Sequence, residues 1–423
     1  MRKNRILWKA VYYDFTHLKY IAKTKTSAIF AHPERPIKGL ITETLPKEVY
    51  ITRLAKFLPN SPVSNDEMEG ILGMIDGKPS RGRRIVLRNN GIKNRYYALD
   101  KDGNITHNNA QLTAQAVKGL FTKDFTAADM QLLACGTTSP DQLLPSHGSM
   151  VHGELGSPVT EVVSFSGACC AGMHSMKYAY MAVMAGMSNN AVCAGSEQTS
   201  SWMLARNFEE ETRSHRELDE LPVLAFEKDF LRWMLSDGSG AALLQDKPAS
   251  EGLSFKIEWM DLFSFAGEHE TCMYAGADKL VNGKLKGWKE YEEHEWLEKS
   301  IFSLKQDVKM LDKYIVTVGV KKLTETLKKH NISSAEIDFV LPHISSEFFR
   351  KKMMDEMAAS GIPFPEEKWF TNLVQVGNIG AASIFLMLEE LHKSGKLKKG
   401  QKVLLLVPES ARFSYAFSLL TVV

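Results

Sequence analysis

Short apolar runs alternate along this chain with longer segments that are rich in helix-forming residues. The β-branched runs at residues 162–165 and 337–341 predict buried strands. The Ala- and Met-rich residues 173–187 predict a helix directly after the first run, and residues 384–392 predict another near the C-terminus. This alternation of strands and helices is typical of an α/β fold.

The same pattern predicts further strands and helices near residue 50 and at the C-terminus. Residues 49–59 predict a strand that Pro59 stops, and residues 64–68, with their polar caps and early acids, predict the start of a helix. Residues 402–407 and 413–423 predict the last two strands. The polar turn at residues 248–252 is the best boundary between two halves of the chain.

Composition narrows the class of protein. The chain has 423 residues, 44% of them hydrophobic, which is enough for a large core divided over two or three domain-sized units. A net charge of +2 gives no reason to expect a nucleic-acid partner. The five cysteines lack disulfide-like spacing and indicate the reducing cytoplasm. No apolar run reaches the roughly 18–20 residues of a membrane span, and the basic, aromatic first 20 residues lack the apolar region of a secretory signal.

A cysteine among small residues is the first candidate for chemistry. Residues 166–173 read Ser-Gly-Ala-Cys-Cys-Ala-Gly-Met and join the predicted strand at 162–165 to the helix that follows. A cysteine at a helix N-terminus meets free backbone N–H groups and the positive end of the helix dipole, which favour the thiolate. A buried structural cysteine is the other interpretation, because free cysteines usually lie in the core.

Two further segments point to the same kind of site. His343 follows the predicted strand at 337–341, and the carboxyl ends of parallel strands are where ligands bind. Asn378 lies in a small-residue turn before the helix at 384–392. Taken singly, the histidine is compatible with a structural role and the asparagine with a turn or cap. Together the three elements predict a convergent Cys-His-Asn site.

These residues carry a resemblance to a known family. Cys170-Ala171-Gly172, Leu341-Pro342-His343 and the Gly-Asn-Ile-Gly-Ala-Ala-Ser of residues 377–383 resemble the three signature segments of β-ketoacyl-ACP synthase III, a thiolase-fold condensing enzyme. Residues 135–146, 191–197 and 236–242 resemble further segments of that family in the same order, from about residue 49 to the C-terminus. The nucleophile of the family directly precedes an Ala-Gly pair, which selects Cys170 and makes Cys169 a strand-end filler.

The resemblance implies a five-layered αβαβα thiolase-like fold built from two duplicated halves, assembled as a homodimer. Residues 48–247 would form the N-terminal half with the nucleophile, and residues 248–423 the C-terminal half with the histidine and asparagine. Residues 205–235 would be an insertion that acts as a lid over an acyl pocket or as part of a dimer interface. Residues 1–47 lie outside the likeness, and we expect a poorly ordered extension or an upstream start of translation.

The resemblance also implies roles for individual residues. Cys170 would take an acyl group, and His343 Nε2 with Asn378 Nδ2 would stabilise the enolate of a second thioester. The substrates would be CoA or acyl-carrier-protein thioesters, with no metal or other cofactor. Arg88, Arg350 and Lys351 would contact phosphopantetheine or the acidic carrier, unless they are solvated surface residues.

The chain departs from the family pattern in its C-terminal loop. A run of glycines is replaced by the Val-Pro-Glu-Ser-Ala-Arg of residues 407–412, so either the Ser410 or Ala411 amide still binds the thioester oxygen, or Glu409 is seated near the chemistry. Glu154 is a second candidate base, with a dimer-interface or capping role as the alternative. Leu144, on the loop that forms the dimer in that family, is a further candidate pocket residue.

The altered loop, the long insertion and the N-terminal extension make the chain unlike the simple chain-initiating enzyme. In residues 50–97 and in the altered C-terminal loop it resembles the ketosynthase/cyclases of dialkylresorcinol and stilbene pathways. That branch joins a β-ketoacyl and an α,β-unsaturated acyl thioester by Claisen and Michael steps to a 2,5-dialkylcyclohexane-1,3-dione. Ordinary chain initiation with malonyl-ACP is the alternative within the family. A non-catalytic partner subunit of a ketosynthase heterodimer is the alternative of another class.

Overall fold

The computed structural model describes residues 46–80, 82–211 and 230–423. The predicted N-terminal extension therefore lies outside the described residues except for residues 46 and 47. The middle of the predicted lid, residues 212–229, also lies outside them. No helix among the described residues is long and apolar enough to cross a membrane.

The strands and helices of the described residues alternate as the apolar pattern predicts. The strands are β1 (Tyr50–Phe57), β2 (Val63–Ser64), β3 (Asn94–Arg95), β4 (Leu132–Thr137), β5 (Glu161–Ser166), β6 (Asn190–Glu197), β7 (Gly238–Gln245), β8 (Phe255–Ser264), β9 (Met273–Tyr274), β10 (Ala277–Lys279), β11 (Leu285–Gly287), β12 (Lys305–Gln306), β13 (Phe339–Pro342), β14 (Lys402–Glu409) and β15 (Ser414–Val422). The α-helices are α1 (Met68–Leu72), α2 (Arg83–Asn90), α3 (Asn109–Lys118), α4 (His147–Leu155), α5 (Ala171–Met184), α6 (Glu293–Glu298), α7 (Val308–Lys329), α8 (Phe348–Ala359), α9 (Leu373–Val376) and α10 (Ser383–Lys393).

Nine strands form one sheet in the order β13-β14-β15-β8-β1-β7-β6-β4-β5. In the N-terminal part β4 and β6 are parallel, and β7 and β1 follow antiparallel. In the C-terminal part β13 and β14 are parallel, and β15 and β8 follow antiparallel. The same arrangement thus occurs twice, and the two copies join where β1 pairs with β8.

Alternate residues of each strand bury against different helices, which separates the molecule into layers. Leu133 of β4 packs with the outer helices α3 and α4, whereas Leu132 packs with α5 and α10. In the second half, Leu404 of β14 packs with the outer helices α7 and α8, whereas Val403 faces α10. Helices α5 and α10 are therefore the central layer of a five-layered αβαβα fold, as expected.

The elements predicted within the described residues are present. The helix predicted to start at residues 64–68 begins at Met68, and the Glu67 carboxylate accepts hydrogen bonds from the Ser64 amide at 2.9 Å and hydroxyl at 2.6 Å in the turn before it. Residues 265–307, between β8 and α7, form short strands and the helix α6 that the apolar pattern did not predict. This insertion contributes one wall of the cavity described next.

Candidate active site

The turn between β5 and α5 brings two distant segments of the chain together. Cys170 is the N-cap residue of α5, and small residues around it allow backbones to approach closely. A Cβ at Gly172 would lie 2.1 Å from the Ala381 carbonyl oxygen, and one at Gly136 would lie 2.1 Å from the Ala171 carbonyl oxygen. Glycine at these positions therefore lets the turn that carries Asn378 pack directly against the start of α5.

Cys170 is 1% exposed and contacts the strand β14 through both its thiol and its amide. Its Sγ donates to the Val407 carbonyl oxygen at 3.3 Å, and its backbone N–H donates to Glu409 Oε2 at 2.9 Å. Burial, together with the negative charge of Glu409, raises the pKa of the Cys170 thiol well above its usual value. The resting thiol is therefore protonated.

His343 directly follows β13, where its backbone N–H donates to the Leu406 carbonyl oxygen of β14 at 2.7 Å. The side chain is 3% exposed, and burial lowers the pKa of His343 to about 4. The imidazole is therefore neutral near pH 7 and can donate one N–H without carrying a charge.

Asn378 is held on both sides by backbone hydrogen bonds. Its N–H donates to the Met234 carbonyl oxygen and its carbonyl oxygen accepts from the Ser236 N–H, each at 2.9 Å. Its side-chain Oδ1 accepts from the Gly380 N–H at 3.0 Å. The Nδ2 group has no hydrogen-bond partner among the described residues, so it is available as a donor to a ligand.

His343 and Asn378 line the same cavity, which has a volume of about 60 Å³ and opens to solvent. Its polar lining residues include Thr138, Thr199, Gln306 and Ser410. Its apolar lining residues are Leu231, Leu235, Leu304, Leu311, Ile315, Val316, Phe349 and Met353. A cavity lined by many apolar and a few polar side chains suits an acyl chain that carries a thioester.

The two adjacent cysteines lie differently with respect to this cavity. Cys169 is one of the lining residues, beside His343 and Asn378, whereas Cys170 packs in the core and points its thiol at β14. The sequence treated Cys169 as a strand-end filler and did not anticipate its place on the cavity wall. The assignment of Cys170 as nucleophile stays a prediction.

Glu197 is a cavity residue that sequence reasoning missed. Its carboxylate accepts hydrogen bonds from the Thr138 and Ser139 hydroxyls, each at 2.7 Å, and from the Ala381 amide at 3.1 Å. Burial raises the pKa of Glu197 to about 7, and these donors partly offset the effect. The available signal was an acidic residue at the end of the apolar run at 191–196.

The C-terminal loop at residues 407–412 places Pro408 and Ser410 in the cavity and Glu409 beside Cys170. Ser410 lines the cavity, where its Oγ accepts from Gln306 Nε2 at 2.9 Å. Glu409 is 8% exposed, and its carboxylate accepts from the Cys170 amide. Burial raises the pKa of Glu409, against the opposing effect of the amides of Cys170 and Ala168. A carboxylate is therefore seated next to the predicted nucleophile.

The other predicted site residues lie outside the cavity of their own chain. Glu154 is exposed on α4, and Leu144 is 85% exposed before Pro145, so either could reach an active site only in a second copy of the chain. Arg88 is exposed on α2. Arg350 pairs with Glu347 and Glu366, and Lys351 pairs with Asp355. Among the described residues, no group of three His, Cys, Asp or Glu side chains could hold a metal ion.

Comparison with known proteins supports the fold and the class of enzyme. Residues 327–411 match the family described as 3-oxoacyl-[acyl-carrier-protein (ACP)] synthase III C terminal. The β-ketoacyl-[acyl-carrier-protein] synthase III of Clostridium perfringens is 24% identical over 350 residues, which cover 82% of this chain and 92% of that protein. A homologue of the same name from Deinococcus radiodurans is 24% identical over 363 residues, covering 85% and 90%.

Solved structures show the same fold at lower identity. AbyA1, a tetronic acid condensing enzyme, superposes with a TM-score of 0.69 at 19% identity, covering 88% of this chain and 99% of AbyA1. OleA from Xanthomonas campestris, solved with lauric acid and lauroyl-CoA, gives a TM-score of 0.67 at 19% identity, covering 89% and 100%. With these similarities, the chain has the fold of thiolase-like condensing enzymes and is an acyltransferase that is similar to β-ketoacyl-ACP synthase III.

Proposed function

We propose that this enzyme forms an acyl thioester on Cys170 and condenses it with the α-carbon of a second acyl thioester. His343 and Asn378 would then be the pair of donors that binds the enolate oxygen of the second substrate. Both residues line the same cavity, and the uncharged imidazole and the free Nδ2 group suit this role. The apolar wall would hold the acyl chain.

We further propose the ring-forming reaction, in which a β-ketoacyl and an α,β-unsaturated acyl thioester give a 2,5-dialkylcyclohexane-1,3-dione. The observation that carries this choice is Glu409, a carboxylate at the Cys170 amide in the loop where the resembled family has glycines. Neither substrate of the ring-forming reaction supplies its carbanion by losing CO₂ from a malonyl group, so a proton must be removed from carbon. An additional carboxylate near the nucleophile is consistent with that demand.

Chain initiation with malonyl-ACP is the second candidate, and the names of the curated relatives favour it. It uses the same acyl-Cys170 and the same pair of donors, and it differs only in the carbon nucleophile. A non-catalytic partner subunit is less well supported, because the cysteine, histidine and asparagine are all present and the last two line one cavity.

We propose a homodimer that pairs through β5. This strand is the edge of the nine-stranded sheet, and its residues are exposed or half-buried, although a sheet edge usually needs protection. Leu144 and Val159, both strongly exposed, lie on segments that flank α4. In such a dimer Glu154 and Leu144 could approach the partner's cavity. Arg88, Arg350 and Lys351 remain the proposed contacts for CoA or an acyl carrier protein.

The test supplies the purified enzyme with two alternative substrate pairs, each presented as CoA and as ACP thioesters. One pair is a 3-oxoacyl and a 2-enoyl thioester, and the other is a saturated acyl thioester with malonyl-ACP. Ring formation predicts a cyclohexanedione, identified by mass spectrometry, from the first pair only. Consumption of malonyl-ACP to a 3-oxoacyl product would instead establish chain initiation.

The matched controls are Cys170→Ala and Cys169→Ala, because the two thiols are adjacent and isosteric. An acyl adduct in the intact protein mass that only Cys170→Ala abolishes supports the proposed nucleophile. A wild-type enzyme that never acquires an acyl group from any donor would contradict both candidate reactions and favour the partner subunit.

A further inference from the structure

A buried carboxylate of β14, that of Glu409, contacts the start of α5 without an ion-pair partner among the described residues. Glu409 is 8% exposed and forms no ion pair with any described residue, and its hydrogen-bond donors are the amides of Cys170 and Ala168. Burying an isolated carboxylate is costly, so such a group is retained where it serves the chemistry or the fold. The positive end of the 14-residue helix α5 is the favourable charge that it meets.

The carboxylate is within reach of the thiol of the same residue that it binds. Glu409 accepts from the backbone nitrogen of Cys170 at 2.9 Å, and only the N–Cα, Cα–Cβ and Cβ–Sγ bonds separate that nitrogen from the sulfur. In the resting arrangement the thiol donates to the Val407 carbonyl oxygen, two residues before Glu409 on β14. A change of the Cys170 χ1 rotamer redirects the S–H group along this strand toward the carboxylate.

Glu409 is the carboxylate whose charge acts on the Cys170 thiol. The other titratable groups that face the two thiols are Cys169, Tyr415 and Glu197, and the Glu197 charge acts on Cys169 instead. His343 lies on the cavity wall with Asn378, where the proposed reaction uses it as a donor. We therefore propose that Glu409 is the proton acceptor that activates the Cys170 thiol. This inference rests on the proposed acyl-Cys170 intermediate.

The proton balance of the step is simple. The S–H proton of Cys170 moves to Glu409, which becomes a carboxylic acid, and the single negative charge of the pair stays at the N-terminus of α5. The thiolate attacks the thioester carbonyl carbon, the acyl–sulfur bond to CoA or pantetheine breaks, and the leaving thiolate takes the proton back from Glu409. The proton that Glu409 gains also neutralises its carboxylate while the thioester oxygen needs the Cys170 amide.

The test compares wild type with Glu409→Gln, both with Cys169→Ala so that only one thiol of the pair reacts. Glutamine keeps an oxygen that can accept from the Cys170 amide, but it cannot take a proton. We expect alkylation of Cys170 by iodoacetamide and its acylation by an acyl-CoA to slow at least tenfold at pH 7, measured by intact and peptide mass. Glu389→Gln is the matched control, since it neutralises a buried glutamate that pairs with Lys56 and Lys393 instead.

Alkylation that is equally fast or faster in Glu409→Gln would overturn the proposal, because the carboxylate would then only cap the amide and repel the thiolate. The pH dependence of the alkylation rate in wild type is a second test, and it does not depend on whether the variant folds. A pair that shares one proton gives a plateau in alkylation rate across neutral pH, whereas a lone thiol gives about a tenfold rise per pH unit below its pKa. A tenfold rise per unit would also overturn the proposal.

The outcomes separate this inference from the proposed function. Normal acylation without any carbon–carbon product would contradict the condensation and leave the role of Glu409 standing. Condensation that survives Glu409→Gln with unchanged acylation would contradict the role of Glu409 and leave the proposed function standing.

Discussion

Replacing Asn378 by aspartate should abolish condensation and spare acylation. The carboxylate of Asn378→Asp keeps an oxygen in the place of Oδ1, which accepts from the Gly380 N–H, so the turn retains its hydrogen bond. What disappears is the Nδ2 donor that has no other partner among the described residues. The substitution therefore removes one donor to the enolate oxygen and leaves the surrounding backbone in place.

The expected magnitude follows from the local geometry. Removing one preorganised oxyanion donor typically costs about 10²–10³ in rate, or about 2.7–4 kcal/mol of transition-state stabilisation. Little relaxation is available, since a Cβ at Gly377 would lie 2.8 Å from the Ser236 Cβ and the backbone of Asn378 is bonded on both sides. The added negative charge opposes the enolate, so we expect the upper end of this range.

The assay measures the two half-reactions separately. Intact mass after rapid mixing with an acyl-CoA follows acylation of Cys170, and product formation from the pre-acylated enzyme follows condensation. Asn189→Asp is the matched control, because it makes the same chemical change at an exposed residue that contacts Lys47. The reasoning is refuted if Asn378→Asp condenses within about fivefold of wild type, or if it loses acylation to the same extent as condensation.

Three further expectations concern the nucleophile, the packing and the pH dependence. Cys170→Ala should abolish the acyl adduct in intact mass and Cys169→Ala should retain it; the reverse result would transfer the nucleophile to the cavity-lining thiol. Gly195→Ala should lower the free energy of unfolding by about 3 kcal/mol or more in urea, because its Cβ would lie 2.2 Å from the Ala381 carbonyl oxygen, whereas Gly153→Ala, whose Cβ meets open space on α4, should be neutral or stabilising by up to about 1 kcal/mol. Burial lowers the pKa of His147 to about 4, below the roughly 6.5 of an unfolded chain, so its neutral form stabilises the fold above pH 6.5 and this contribution is lost as the pH falls toward 4. His147→Asn should therefore reduce the loss of unfolding free energy between pH 7 and pH 5 by about 2 kcal/mol, and an unchanged pH dependence would contradict this account.

Local features of the sequence predicted the α/β class and the individual strands and helices. The five-layered arrangement was an expectation from the resemblance. The strand and helix around Cys170 are visible because β-branched residues give way to small residues and then to helix formers, and the structure has β5 and α5 there. Nearest-neighbour interactions control such elements. The helix predicted to start at residues 64–68 begins at Met68, after a turn that the Glu67 side chain closes by accepting from Ser64.

The sequence also could not show which side chains share a cavity. Glu197 reaches Thr138 across 59 residues, and Glu409 reaches Cys170 across 239 residues. The wall that includes Leu304 and Gln306 comes from an insertion without a recognisable pattern. Each of these contacts depends on the packing of several layers, which no local periodicity encodes.

The sequence by itself determined the class of fold, the order of its strands and helices, and the cysteine, histidine and asparagine that stand at their ends. These properties follow from the helix and strand propensities of the residues and from the spacing of apolar positions, both of which are set within a few residues of the chain. Tertiary structure alone decided that Cys169 faces the cavity, that the Cys170 thiol points at β14, and that Glu409 caps the Cys170 amide. Glycine at positions 172 and 195 leaves room for the Ala381 carbonyl group of the Asn378 turn, and hydrogen bonds from Cys170 join the start of α5 to the end of β14. Only the folded chain brings these backbones together.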